Sequence, residues 1–277
     1  MLPIVLAALS AAVWGSADFA GGKAAQTSRT LAVTVLSQIA GLPVLAACVV
    51  LLGGGTPGIG TLTAGGVAGL AGFVGIMLLY RGLSQGAMAI FAPVSAVTTA
   101  LVPVGVGLVL DRTPSALALI GVACAVAGIG LVSLARGAAR VATPRIIALA
   151  LASGVCFGIF FALLGKTGPQ AGLWPLVGVR VVSLAAGFAA LAVTRTWPRI
   201  DPVGRRWALL AGPLDVLANA LYLLAALRGP LAVVGPIGAL YPVSTVLLAI
   251  TVDRERVGPA QLAGLGLAAT ALVLAAS

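Results

Sequence analysis

Three ionisable side chains lie deep inside apolar runs: Asp18 in VWGSADFAGGK, Arg180 in LVGVRVV and Asp215 in GPLDVLAN. An ionisable group within a membrane costs at least ~2.5 kcal/mol on insertion scales, so each needs a reason to be there. Ser10, Trp14 and Asp18 follow one another at i, i+4 and i+8, which sets a hydroxyl, an indole and a carboxylate on one helix face. Such a face can bind a substrate amine or exchange a coupling proton. The plainer alternative has Asp18 reaching the membrane interface or pairing with Lys23. Asp215, Asn219 and Tyr222 stack at i, i+4 and i+7, a polar stripe that argues for a wet or solute-facing surface. Arg180 is the counter-charge available to either acid. An Arg180–Asp215 pair reads first as structural and second as a gate opened by a competing solute, since a buried pair alone is weak evidence of function.

The elements that hold these residues follow from composition. The chain has 277 residues, is 61% hydrophobic and only 8% charged. Soluble domains carry roughly 25% charged residues, so the chain reads as a polytopic membrane protein. Its apolar runs are continuous and of helical length; barrel strands would alternate in polarity over about ten residues. Helices are expected near 2–22, 30–52, 62–82, 87–110, 115–135, 145–165, 172–194, 207–227, 231–252 and 258–276, an all-α bundle of ten transmembrane helices. The first of them carries no basic n-region, so it reads as a retained helix and not as a signal peptide.

A shift of 143 residues superposes the halves, carrying Ser10 onto Ser153, Gly15 onto Gly158, Lys23 onto Lys166, Pro93 onto Pro236 and Gly121 onto Gly264. The expected organisation is a first five-helix repeat over 1–138 and a second over 139–277. Five spans is an odd number, so the second repeat enters the membrane inverted, as in many secondary transporters whose sites lie at the midplane between halves. The shift also carries Asp18 onto Phe161, which leaves one half of the cavity polar and its mirror apolar. Pro93 and Pro236 interrupt equivalent helices, a pointer to a transporter site, although prolines in membrane helices can also serve curvature alone. Tyr241 and Tyr80 read equally as cavity lining or as interfacial aromatics. Gly65, Gly69, Gly72 and Gly75 form a close-packing stripe, and Trp174, Trp197 and Trp207 read as interfacial anchors.

WGSADF near the start, the proline-bearing fourth helix of each half and DRERVGPAQLAGLGLAATALVL at the end resemble the EamA family of the drug/metabolite transporter superfamily. The resemblance covers the whole chain. It implies a ten-helix exporter or exchanger of amino acids, metabolites or drugs. Glu255-Arg256 matches the family's Glu-Arg pair at the turn between the fourth and fifth helices of a repeat, and Asp111-Arg112 keeps the charges in the first half. Arg180 matches the family's arginine in the second helix of a repeat, where the first half carries Ser37.

The function expected is therefore secondary transport of a small organic solute by alternating access, driven by a proton gradient or by exchange. Asp18 is the expected coupling or amine-binding acid, Arg180 the carboxylate contact or gating counter-ion, and Asp215 and Asn219 the polar lining. The alternatives are a membrane scaffold or sensor, and an intramembrane enzyme acting on lipid. The latter has little to work with, because the chain has no histidine and six carboxylates. For the same reason no metal site or cofactor is expected. Nucleic acid is excluded as a partner, since the basic residues sit between apolar runs and form no stripe. The expected location is the cell (inner) membrane, with both termini on one side. Lysines and arginines concentrate in loops after odd-numbered helices, so the positive-inside rule places the termini outside; the family resemblance places them inside. A duplicated chain completes its own inverted pair, so a monomer suffices, with a homodimer as the other arrangement.

Overall fold

The computed structural model describes residues 1–52, 58–83, 88–110, 115–132, 143–195, 200–252 and 258–276. Twelve α-helices and a short 3₁₀ helix at Pro169–Ala171 make up the described chain. The α-helices are α1 (Leu2–Thr27), α2 (Thr30–Ala40), α3 (Leu42–Leu52), α4 (Ile59–Leu83), α5 (Met88–Leu110) and α6 (Ala116–Val132) in the first half. The second half holds α7 (Pro144–Gly165), α8 (Trp174–Thr194), α9 (Pro202–Ala226), α10 (Leu231–Gly238), α11 (Tyr241–Thr251) and α12 (Pro259–Ala276). The pairs α2–α3 and α10–α11 each form a single span, so ten membrane helices result, six of them long and apolar enough to cross a bilayer unaided. The Asp111-Arg112 and Glu255-Arg256 turns and the 138/139 boundary between repeats lie outside the described residues, as do the side chains of Tyr80 and Pro93 and all of Trp197.

Two helices depart from their expected ends, and local chemistry explains both. α1 continues through Gly21, Gly22 and Lys23 to Thr27, because a glycine pair weakens a helix without ending it when packing continues beyond. α9 begins at Pro202, with the Asp201 side chain accepting from Val203 N; an acidic N-cap followed by proline at the first helical position is a start signal.

The span α10–α11 breaks at Ala239–Leu240, just before Pro242, whose ring nitrogen cannot donate to the Gly238 carbonyl. Pro236 sits within α10 without interrupting it. The break therefore comes from a proline with no partner in the other half, since the residue equivalent to Pro242 is Thr99.

Helix packing repeats across the two halves. α1 packs against α9 as α7 packs against α4, α2 against α9 as α8 against α4, and α11 against α1 as α5 against α7. Each pairing joins one repeat to the other, so the halves interlock. Glycines permit the closest approaches: a methyl at Gly69 would fall within 2.7 Å of Val179 Cα on α8, and one at Gly154 within 2.5 Å of the Ser95 carbonyl on α5.

Candidate functional site

The buried side of α1 carries Ala7, Ala11, Trp14 and Gly15. Asp18 lies on the same face, one turn beyond Trp14, yet it is exposed. A residue at the centre of an inward face is exposed only where the neighbouring helices draw apart, so Asp18 looks into a crevice of the bundle. One turn further, a methyl at Gly22 would meet nothing within 4 Å. The crevice therefore extends to Gly22, toward the side opposite the termini, while another face of α1 stays packed on α9 as far as Ser28, whose Oγ accepts from Asp201 N.

α9 and α8 supply the facing wall. Arg180 Nη2 donates to Asp215 Oδ2 at 2.8 Å, with the arginine side chain 7% exposed and the aspartate 40%. Asn219 Nδ2 donates to Asp215 Oδ1 at 3.0 Å and to the Asp215 carbonyl at 2.6 Å. The i, i+4 spacing on α9 makes that second hold possible. Among the described residues Asp18 has no hydrogen bond or ion pair. The pairing with Lys23 weighed from the sequence is therefore not made; the ammonium instead lies 5.4 Å from the centre of the Phe19 ring.

The structure separates residues that the sequence grouped together. Ser10 is fully buried and its Oγ donates to the Ala218 carbonyl at 2.8 Å, so it ties α1 to α9 and stays out of the crevice. Tyr222 is also fully buried, and its hydroxyl donates to the Phe161 carbonyl at 3.1 Å. Trp14, Phe161 and Tyr222 close into one cluster, with centroid separations of 4.8 Å for Trp14–Phe161, 5.6 Å for Trp14–Tyr222 and 4.8 Å for Phe161–Tyr222. This cluster forms the floor of the crevice. Beyond it every residue from Leu231 to Leu240 is buried, which seals the side that holds the termini.

Two polar residues were missed. Ser183, one turn after Arg180, donates to Gln38 Oε1 at 2.5 Å and joins α8 to α2. Gln38 is an amide in an otherwise apolar span, and Ser183 shares the helix face of Arg180. Both signals were present in the sequence.

Fold and site together define a multi-pass membrane protein built from two inverted halves around a polar crevice. The EamA-like transporter family model matches residues 1–134 and again 144–277, and the chain belongs to that family. It is thus a membrane transporter and not an enzyme. A solved crystal structure of a protein superposes with a TM-score of 0.78 over 99% of this chain and 98% of that one, at 16% identity; at that identity the likeness concerns the fold alone. No curated protein matches the chain.

Proposed function

We propose that the protein is a secondary active transporter that moves a small organic solute by alternating access. Asp18 receives the solute's cationic group or a coupling proton, and Arg180, Asp215 and Asn219 form the facing polar wall. One observation carries this reading: Asp18 continues the inward face of α1 that Trp14 and Ala11 bury, yet it is exposed and has no hydrogen bond or ion pair among the described residues. A charge left unpaired inside a membrane helix lacks the compensation that structural charges require, which favours a transient ligand as its partner. Carboxylate and guanidinium in one crevice suit an amino acid or another zwitterion. Trp14, Phe161 and Tyr222 give the apolar part of the solute a floor to rest on.

Lys23, Arg29, Arg195, Arg205 and Arg206 ring the open side, whereas Lys166 and Arg228 lie on the sealed side. By the positive-inside rule the crevice then opens to the cytoplasm and both termini lie outside the cell membrane. The duplicated chain supplies both halves of the pathway, so a monomer transports.

The test is solute uptake into proteoliposomes under an imposed pH gradient, over amino acids, nucleobases and organic cations, with folded Asp18→Asn alongside. Uptake of one class by the wild type that ceases in the variant supports the reading. Uptake unaffected by the variant removes Asp18 from the site, and no flux of any class from folded protein turns the reading toward a scaffold.

A further inference from the structure

A small void lies between α3, α8 and α9. Leu45, Leu176, Val179, Arg180, Val216 and Asn219 line it, and it admits about one water molecule. Asn219 is 5% exposed, and its Oδ1 is buried without a hydrogen-bond partner among the described residues. The other end of the amide settles its orientation. Nδ2 donates to the Asp215 carbonyl and to Asp215 Oδ1, so turning the amide over would press an oxygen against two acceptors. Arg180 has capacity to spare as well. A guanidinium carries several N–H donors, and among the described residues this one hydrogen-bonds to Asp215 alone.

Ordinary packing closes the equivalent space elsewhere in the molecule. The shift of 143 residues relates Leu45 to Phe188, Val216 to Phe73 and Asn219 to Ile76, so the related place is built from larger or wholly apolar side chains. There the Phe73 ring reaches α8, with Cε2 at 3.7 Å from where a methyl on Gly187 would lie. At the void the fold keeps smaller residues and an acceptor without a partner, which destabilises a protein unless something fills the site. The lining selects what can fill it. Asn219 Oδ1 requires a donor, and the guanidinium requires an acceptor. A metal cation would find one amide oxygen where it needs a shell of them, beside a positive charge. An anion would be set against the amide oxygen. A neutral molecule of water's size that both donates and accepts suits both groups.

We propose that one water molecule is bound in this void, donating to Asn219 Oδ1 and accepting from Arg180. Arg180, Asp215, Asn219 and the water then close a ring of hydrogen bonds that holds the buried guanidinium from two sides. A charge inside a membrane protein demands such compensation, and buried waters commonly serve polar groups that the chain leaves unsatisfied. The water belongs to the protein whatever solute the crevice carries, so a failed uptake assay leaves it in place.

The test is X-ray hydroxyl-radical footprinting of the full-length protein in lipid nanodiscs, read by peptide mass spectrometry. Radiolysis of a bound water releases a radical that oxidises the side chains around it, whereas a buried aliphatic side chain away from water is spared. Leu45 and Leu176 are 5% and 3% exposed, and both should be oxidised in the wild type, while Leu164 and Leu231, buried elsewhere, should not. If Leu45 and Leu176 are as inert as those two, the void is dry and the water is refuted. Asn219→Ile installs the apolar residue of the related place and should abolish oxidation of Leu45 and Leu176. Oxidation that persists in the folded variant has a source other than a water held by Asn219, and overturns the proposal. Val216→Phe is an independent variant that leaves Asn219 and Arg180 unchanged and fills the void with the ring that Phe73 supplies at the related place. Oxidation should again be lost, and its survival in the folded protein counts equally against the water.

Discussion

Ser10 and Ser153 make the same hydrogen bond in the two halves of the molecule. Ser10 Oγ donates to the Ala218 carbonyl at 2.8 Å, and Ser153 Oγ donates to the Gly75 carbonyl at 2.9 Å. Donors and acceptors are both related by the shift of 143 residues found in the sequence. Each bond crosses between repeats, the first from α1 to α9 and the second from α7 to α4, and both serines are fully buried. The inversion thus holds at the level of single atoms.

Two equivalent bonds should contribute alike, although Ser153 Oγ also accepts from Ser95 Oγ at 3.3 Å and Ser10 has no such neighbour, Gly238 standing at the equivalent position. Ser10→Ala and Ser153→Ala are each expected to destabilise the protein by about 0.6–1.7 kcal/mol, the range for interhelical hydrogen bonds in membranes. Thermal unfolding of the purified protein in detergent checks this, with the double variant close to the sum because the sites share no partner. A large loss from one serine and none from the other would contradict the equivalence.

Glycines in this bundle divide by what surrounds them, and substitution should reveal the division. A methyl at Gly65 would collide with the Pro175 backbone on α8, the nearest non-carbonyl-oxygen atoms lying at 2.8 and 2.9 Å, and backbone cannot swing aside. Gly65→Ala is expected to cost at least about 2 kcal/mol, as overpacking of a close helix contact does. At Gly21 a methyl meets nothing within 4 Å, and Gly21→Ala is expected to stabilise α1 by about 0.8–1.0 kcal/mol through helix propensity. Opposite shifts in melting temperature are the expected result, and shifts of the same sign would show that α4 and α8 are less tightly joined than the contact implies.

Much of this architecture was legible in the sequence, because a membrane helix has to announce itself with a long apolar run and a duplication repeats its signals. The Gly65–Gly69 stripe was read as packing, and it lies against α8. What escaped depended on neighbours remote in sequence. Tyr222 continues the stripe of Asp215 and Asn219, but it lies far enough along α9 to have passed below the crevice into the aromatic floor. Ser10 shares a face with Asp18 and still meets α9 directly, through the Ala218 carbonyl. No spacing rule encodes which residues of one helix face a neighbouring helix covers. The choice of Pro242 over Pro236 as the site of the break is similar, since both remove a donor and only the surroundings decide which loss is tolerated within a helix.

A crevice open on one side and sealed on the other makes an accessibility prediction. Cysteine introduced at Gly22 lies in open space near the mouth, whereas Ala225 is fully buried beyond the aromatic floor. After replacement of the native Cys48, Cys124 and Cys156, Gly22→Cys should react with a membrane-impermeant thiol reagent at least about tenfold faster than Ala225→Cys, the contrast expected between an accessible and a buried thiol. Reagent confined to one face of oriented vesicles then reports the side of the mouth. Reaction of Gly22→Cys only from the cytoplasmic face agrees with the positive residues around the opening, and reaction only from the outer face reverses the orientation drawn from charge. Trp14→Ala removes the indole that packs on both Phe161 and Tyr222, and in that background Ala225→Cys should gain reactivity. If it stays unreactive while the protein remains folded, the seal lies deeper, in the buried run from Leu231 to Leu240, and the aromatic cluster supports the site without closing it.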